Sequence, residues 1–417
     1  MKKIKVTELK PGMVFDQPVY IDPTNVLVQA RQEILGRDIE RLVKWGILEV
    51  ETNGQLVNAP KPAAPPEAEQ PAQPMPAASK SDGPAASGAT VPLVTSKSDP
   101  DIAAIAADYD TLRKYKRSFR NLIIEGGEVL QTNIQALVDN KNFDNRAVIG
   151  IATRLVEELT AKKLLLIALR GLRYGGNWGI YHSLHATAYG IVLGHTMNHS
   201  RPKLIDLAFA MLLMDAGMHK LPGHIREKAA DLTDAERATV KTHPLIGYKM
   251  LTEVGKVKAS LATIALQHHE AFDGQGYPQG LKGGQIEELT RIAAICDNYT
   301  AMIEPRPYRK PILPYDAMKN MLSVQMARFD PKILRTFLGR ISIYPLGSLV
   351  QLSNQQIGMV VGCRPDKPLR PILRLMRDEN SLPLNGLAFV DLIKQTEVYI
   401  VKALDAPAAG IDLDSEV

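Results

Sequence analysis

Residues 268–278 read His-His-Glu-Ala-Phe-Asp-Gly-Gln-Gly-Tyr-Pro, and this stretch concentrates more candidate chemistry than any other in the chain. Neutral imidazole is the commonest metal ligand among side chains. Two adjacent histidines beside an acid suit the rim of a metal site, and Gly274 and Gly276 permit a backbone path that larger residues resist. A lone His pair is more often a hydrogen-bonded structural feature. Here the same helical region also carries His182, Asp215, His243 and Asp297, so ligand-type residues occur at five separated places. That accumulation points to a metal centre.

The whole chain sets the background for this site. With 50 Lys+Arg against 45 Asp+Glu, the net charge of +5 over 417 residues is too small to argue for binding a nucleic-acid polymer. The two cysteines, Cys296 and Cys363, have no CxxC spacing, which suits a reducing cytoplasm. No apolar run approaches membrane-spanning length; Leu164–Leu169, for example, lies between charged residues and is far too short. The first residues, Met-Lys-Lys-Ile-Lys-Val, lack the apolar segment of a secretory signal. The expectation is a soluble, cytoplasmic protein with no membrane span.

The elements that must position the site fall in residues 101–340, which read mostly as helix from the stripe Ile102, Ile105, Tyr109, Leu112 onward. Residues 1–58 read as a small α+β module: strands over 13–21 and 25–29 around an Asp-Pro-Thr-Asn turn, a helix over 34–45, and a strand over 47–51. Residues 59–100 hold ten of the 28 prolines among Ala and Ser and read as a linker. Short apolar runs punctuated by Pro and Gly make 341–405 a β-rich appendage, and 406–417 a flexible tail. The fold class is mainly α.

Further motifs surround the histidines. The chain reads Leu-Leu-Met-Asp-Ala-Gly-Met-His-Lys-Leu-Pro over 212–222, His-Pro-Leu-Ile-Gly over 243–247, Cys-Asp-Asn-Tyr over 296–299 and Arg-Pro-Tyr-Arg over 306–309. In order and spacing these blocks resemble the HD-GYP family, the helical metal phosphodiesterases that degrade the bacterial messenger cyclic di-GMP. The resemblance covers roughly residues 178–335, with a complete GYP block. Residues 1–58 also look like a module often found before HD-GYP domains.

The resemblance implies an HD-domain helical bundle with a two-metal hydrolytic centre, usually of iron or manganese. Asp215 would bridge the ions and serve as the catalytic carboxylate. His182 and Asp297 would complete one ion's shell, and His243, His268 and His269 the other's. Tyr277, Arg306 and Arg309 would contact the nucleotide. Asp273, Gly276, Tyr277 and Pro278 would form a face for a diguanylate-cyclase-type domain. A homodimer is a further expectation.

Three departures from the family pattern alter that picture. The dyad that is His-Asp in active relatives is Met214-Asp215 here, and the Gly-Lys pair is Gly217-Met218. The simplest reading of Met211, Met214 and Met218 is helix packing. If the segment is helical, His219 and Lys220 face away from the vacated positions and rescue neither. A Glu found in three-metal relatives, four residues before the first His, is Trp178 here, so a third ion is not expected. His185, His195 and His199 read as surface or capping histidines. The sequence thus predicts a weak or lost hydrolase that senses a nucleotide such as cyclic di-GMP or engages a protein. Its metal would be one ion or a weakly occupied pair. A working phosphodiesterase that tolerates Met214 is the alternative.

Overall fold

The computed structural model describes residues 2–58 except 23–24, 29, 37, 40–41 and 43–48, and residues 100–413 except 171–177, 307–308, 324 and 365. Residues 59–99 of the expected linker lie outside the described residues, as does half of the helix expected over 34–45. The chain divides into two compact units, residues 1–94 and 95–417.

In the first unit, strands β1 (Lys2–Lys5), β3 (Val19–Asp22), β4 (Asn25–Val28) and β5 (Glu49–Thr52) form an antiparallel sheet in the order β1-β5-β3-β4. The β3–β4 hairpin falls at the turn read from Asp22 to Asn25. β2 (Val14–Phe15) pairs with β6 (Leu56–Asn58). Val19, Ile34, Leu42 and Val50 are fully buried at its centre.

The second unit is a helical bundle with a five-stranded antiparallel sheet. The helix Pro100–Val138 buries Tyr109, Leu112, Phe119, Ile123, Leu130, Ile134 and Leu137, a spacing that keeps one face inward. The 3-10 segment Lys163–Leu169 buries all six apolar residues after its lysine, which accounts for the short run seen in the sequence. The helix Trp178–Thr196 is buried on every side from Ser183 to Gly194, so it runs through the core. Gly190 lies where any Cβ would overlap the Met211 side chain, which fixes the approach of the helix Arg201–Leu212.

The sheet runs β10-β9-β8-β7-β11 and comprises β7 (Leu349–Leu352), β8 (Ile357–Gly362), β9 (Ile372–Arg377), β10 (Pro383–Asp391) and β11 (Ile400–Leu404). Arg374 of β9 lies 5.1 Å over the Tyr109 ring and donates to its hydroxyl at 2.5 Å, tying the sheet to the long helix. Residues 406–413 correct the flexible-tail expectation. Ile411 and Leu413 are only 4% and 9% exposed within the main core, and Arg377 Nη2 donates to the Gly410 carbonyl at 3.1 Å. Two apolar residues in a small-residue segment are a weak sequence signal, yet burying them anchors the chain end.

Candidate metal centre

Six side chains from five segments converge in the bundle. His182 comes from the helix Trp178–Thr196, and Asp215 from the turn that follows the helix Arg201–Leu212. His243 opens the helix His243–Lys249, and His268 and His269 follow the helix Ala259–Gln267. Asp297 lies within the helix Glu288–Ile303. Gly217 allows the closest of these approaches, because a Cβ there would overlap the His243 carbonyl oxygen. Gly276 plays the same part in the loop, where a Cβ would lie 2.5 Å from Glu270 Cα. Glu270 is buried and accepts from the Gln279 and Leu281 amides at 2.7 and 2.9 Å, closing the loop around the two histidines. Gly274 adopts φ +87°, a conformation that favours glycine.

The donor atoms form two groups that share Asp215. Asp215, His243, His268 and His269 make one, and His182, Asp215 and Asp297 the other; within each, the donor atoms lie within 4.8 Å of one another. His243 Nε2 and His268 Nε2 approach Asp215 Oδ1 at 3.4 and 3.6 Å, and each other at 3.3 Å. Their Nδ1 atoms face the Val240 and Ala265 carbonyls at 2.7 and 2.9 Å. Each Nδ1 proton is thus held by a carbonyl, and both Nε2 atoms point at Asp215, where an Nε2–H donates to the carboxylate and a deprotonated Nε2 is free to ligate a metal. The donor set therefore fits a divalent cation.

Electrostatics agree with that arrangement. Burial alone would raise the Asp215 carboxyl, but the hydrogen bonds with His243 and His268 outweigh it and hold the group well below the usual range. For Asp297, burial is likewise outweighed by the hydrogen bond with His182, and the carboxyl is lowered. Burial, reinforced by the neighbouring His268, pushes His269 well down and keeps it neutral. His182 differs. Burial opposes its charge, but hydrogen bonds to Asp297 at 2.8 Å and Glu304 at 3.0 Å raise it to about 9. The second carboxylate oxygen of Glu304 meets His185 Nδ1. His185 is thus a buried partner of Glu304, which corrects its reading as a surface or capping residue. His195 is exposed, and His199 lies 3.8 Å from Glu288.

A cavity of about 290 Å³ opens over the cluster, lined among others by Trp178, Met218, His219, Arg226, Tyr277 and Arg306. A family model described as "HD domain" matches residues 155–333, and one described as "KOW domain associated with HD domain" matches residues 349–409. "Cyclic di-GMP phosphodiesterase PA4108" of Pseudomonas aeruginosa is 35% identical over 214 residues, 50% of this chain and 51% of that protein. "Cyclic di-GMP phosphodiesterase response regulator RpfG" of Xanthomonas campestris is 33% identical over 193 residues, 44% of this chain and 48% of that protein. Residues 155–333 thus carry an HD domain, and these relatives support the HD-GYP family for it. The chain spans about half the length of these two relatives. A solved structure, the HDG"Y"P protein Bd1817 of Bdellovibrio bacteriovorus, aligns with TM-score 0.47 at 12% identity over 81% of this chain and 97% of that one. No helix among the described residues is long and apolar enough to cross a membrane.

In this HD-GYP domain the dyad position is filled by an apolar side chain. Met214 is 0% exposed, belongs to the hydrophobic core and does not line the cavity, whereas Met218 does. The helical premise for the next residues fails. The helix stops at Leu212, and Ala216–Lys220 is a 3-10 turn. That tighter winding puts His219 on the cavity wall, where burial first, and then the Arg226 charge, lowers it to about 4. Lys220 does turn away, to the Val138 carbonyl at 2.7 Å.

Of the nucleotide-contact candidates, Tyr277 and Arg306 line the cavity, and the Tyr277 ring stacks on His269 at 4.8 Å. Arg309 does not line it; its guanidinium donates to the Ala301 carbonyl. Asp273 accepts from the Gln275 amide at 2.9 Å, and Pro278 is exposed at the loop edge. Glu304 is the residue that sequence reasoning missed. It lies seven positions after Asp297, a spacing that returns to the same helix face and could have flagged it.

Proposed function

We propose that this HD-GYP protein acts in cyclic di-GMP signalling mainly as a nucleotide sensor or interaction module, with an impaired metal-dependent phosphodiesterase site. The burial of Met214 in the core carries this reading. Asp215, His243, His268 and His269 would hold one ion. His182, Asp215 and Asp297 supply three donors to a second, with nothing at position 214 to add a fourth. Loss of one imidazole ligand, at ~2–4 kcal/mol, lowers affinity there by about one and a half to three decades. A thioether is no substitute, since methionine sulfur suits soft ions and not iron or manganese.

A bound pair of ions would activate a water and stabilise charge on the phosphodiester. This chain's own residues supply the remainder of the site. Asp215 is held ionised between His243 and His268, His269 stays neutral, and Arg306 places a cation at the wall for phosphate. An active phosphodiesterase remains the second reading, favoured by the sharing of Asp215 between both donor groups and by the phosphodiesterase names of the relatives. A diguanylate-cyclase-type partner would use the exposed edge at Gln275 and Pro278, because Tyr277 is turned inward onto His269.

Protein purified without chelator decides between the readings. We expect at most one tightly held ion, measurable cyclic di-GMP binding, and turnover about 10²–10³ below intact relatives. Turnover at the level of those relatives, abolished by Asp215→Ala, establishes the active enzyme instead.

A further inference from the structure

We propose that Trp178 and Arg306 together form a stacking platform for one nucleobase of the bound ligand, at the corner of the site beside His182. The inference rests on the nucleotide reading above and assigns to Trp178 a part in recognition.

Three observations carry it. Trp178 and Arg306 line the same cavity as His182, Asp215 and Asp297. The Arg306 guanidinium lies 5.0 Å over the centroid of the Trp178 ring, and that ring is 6.4 Å from the His182 ring. Arg306 is also fixed in its backbone, since its amide donates to the Arg309 carbonyl at 3.0 Å and the Arg309 amide donates back at 3.2 Å. A planar cation held over an indole presents a flat, desolvated surface, and single nucleobases stack on aromatic rings and on guanidinium planes alike.

The other aromatic in the wall is less suited to this task. Tyr277 already stacks on His269 at 4.8 Å, with Lys241 5.5 Å over its ring. Trp178 is half-buried and its partner in the wall is a cation, so it is the corner best matched to an electron-rich base next to a phosphate. At about 290 Å³ the cavity is at the small end of ligand pockets (~300–1,000 Å³), so it seats one base and its phosphate, with the second half of a dinucleotide lying toward solvent.

The test compares wild-type full-length protein with Trp178→Leu, which fills space without a π-face, and Trp178→Phe, which keeps one. Binding of cyclic di-GMP and of the linear dinucleotide pGpG is measured by calorimetry, with inorganic phosphate as the base-free probe and metal content read on the same samples. Trp178→Leu should weaken both dinucleotides about five- to a hundredfold, and Trp178→Phe should stay within about threefold of wild type. Phosphate binding and metal content should not move in either variant. Dinucleotide binding unchanged in Trp178→Leu removes the platform and leaves the nucleotide reading standing. Equal loss of phosphate or metal shows that the ring only buttresses His182, and the proposal falls. Wild-type protein that binds neither dinucleotide overturns the platform and the cyclic di-GMP reading together.

Discussion

Glu304 holds His182 from behind: its carboxylate faces His182 Nδ1 at 3.0 Å, while His182 Nε2 faces Asp297 at 2.8 Å. A carboxylate behind a ligand imidazole fixes its tautomer and raises its basicity. Burial would raise the Glu304 carboxyl, but the charge of His185 and the bond to His182 outweigh it and bring the group to about 2, so it stays ionised.

Glu304→Ala should therefore weaken metal binding at the His182–Asp297 side by about 10–100-fold, the usual cost of losing such an outer partner. The Asp215–His243–His268–His269 group should keep its ion, because none of its Nδ1 contacts involves Glu304. Metal titration followed by calorimetry separates the two. Uniform loss at both groups would mean the variant has collapsed the bundle instead of freeing one ring.

Met214→His places an imidazole where a fully buried thioether now packs. Without metal it should destabilise the protein by about 1–3 kcal/mol, the cost of burying a polar group without a partner. Excess manganese should restore the melting temperature and add bound metal, and combination with Met218→Lys should raise hydrolysis. If metal neither rescues stability nor increases in amount, position 214 is a packing position with no access to the ions.

Much of this centre was legible because adjacency and residue type carry the signal. His268 and His269 beside Gly274 and Gly276 announce a constrained loop at any fold, and His182, Asp215, His243 and Asp297 stand out in a helical stretch poor in other histidine–acid groupings. The helical body and β-rich appendage were legible from periodicity and punctuation. What stayed hidden depends on distance or on local winding. Glu304 meets His182 across 122 residues, and only its seven-residue spacing from Asp297 hints at that partnership. His219 was misplaced because a 3.6-residue period was assumed where the chain winds as a 3-10 turn. Residues 406–413 looked loose because Ile411 and Leu413 are their only large apolar side chains, and burial alone recruits them.

The chain end offers a direct stability test. Ile411→Ala should cost about 2–4 kcal/mol, the range for removing a buried aliphatic side chain that leaves a cavity. Denaturant melts would show this as a lower midpoint with an unchanged slope. A cost near zero would mean that the segment detaches in solution.

Glu236 makes one wall of the cavity sensitive to acid. It closes a capping box with Thr233 at the start of the helix Asp234–Val240, and Lys228 donates to both its oxygens at 2.9 and 2.6 Å. The Lys228 bonds, followed by the Thr233 amide, lower its carboxyl from 4.5 to about 2. A carboxyl depressed by folding contributes stability that is complete above its unfolded value and disappears as pH falls through the folded one. The helix should therefore keep its cap above pH 4.5 and lose it progressively toward pH 2. Lys228, Leu232 and Val240 line the cavity, so fraying here loosens its wall without touching any candidate ligand. Hydrogen exchange over residues 233–240, corrected for intrinsic rates, should show protection falling across this window in wild type. Glu236→Gln should start lower and remain flat, because a neutral amide has no proton to gain. Equal pH profiles for the two proteins would show that the ion pair with Lys228 does not hold this helix start.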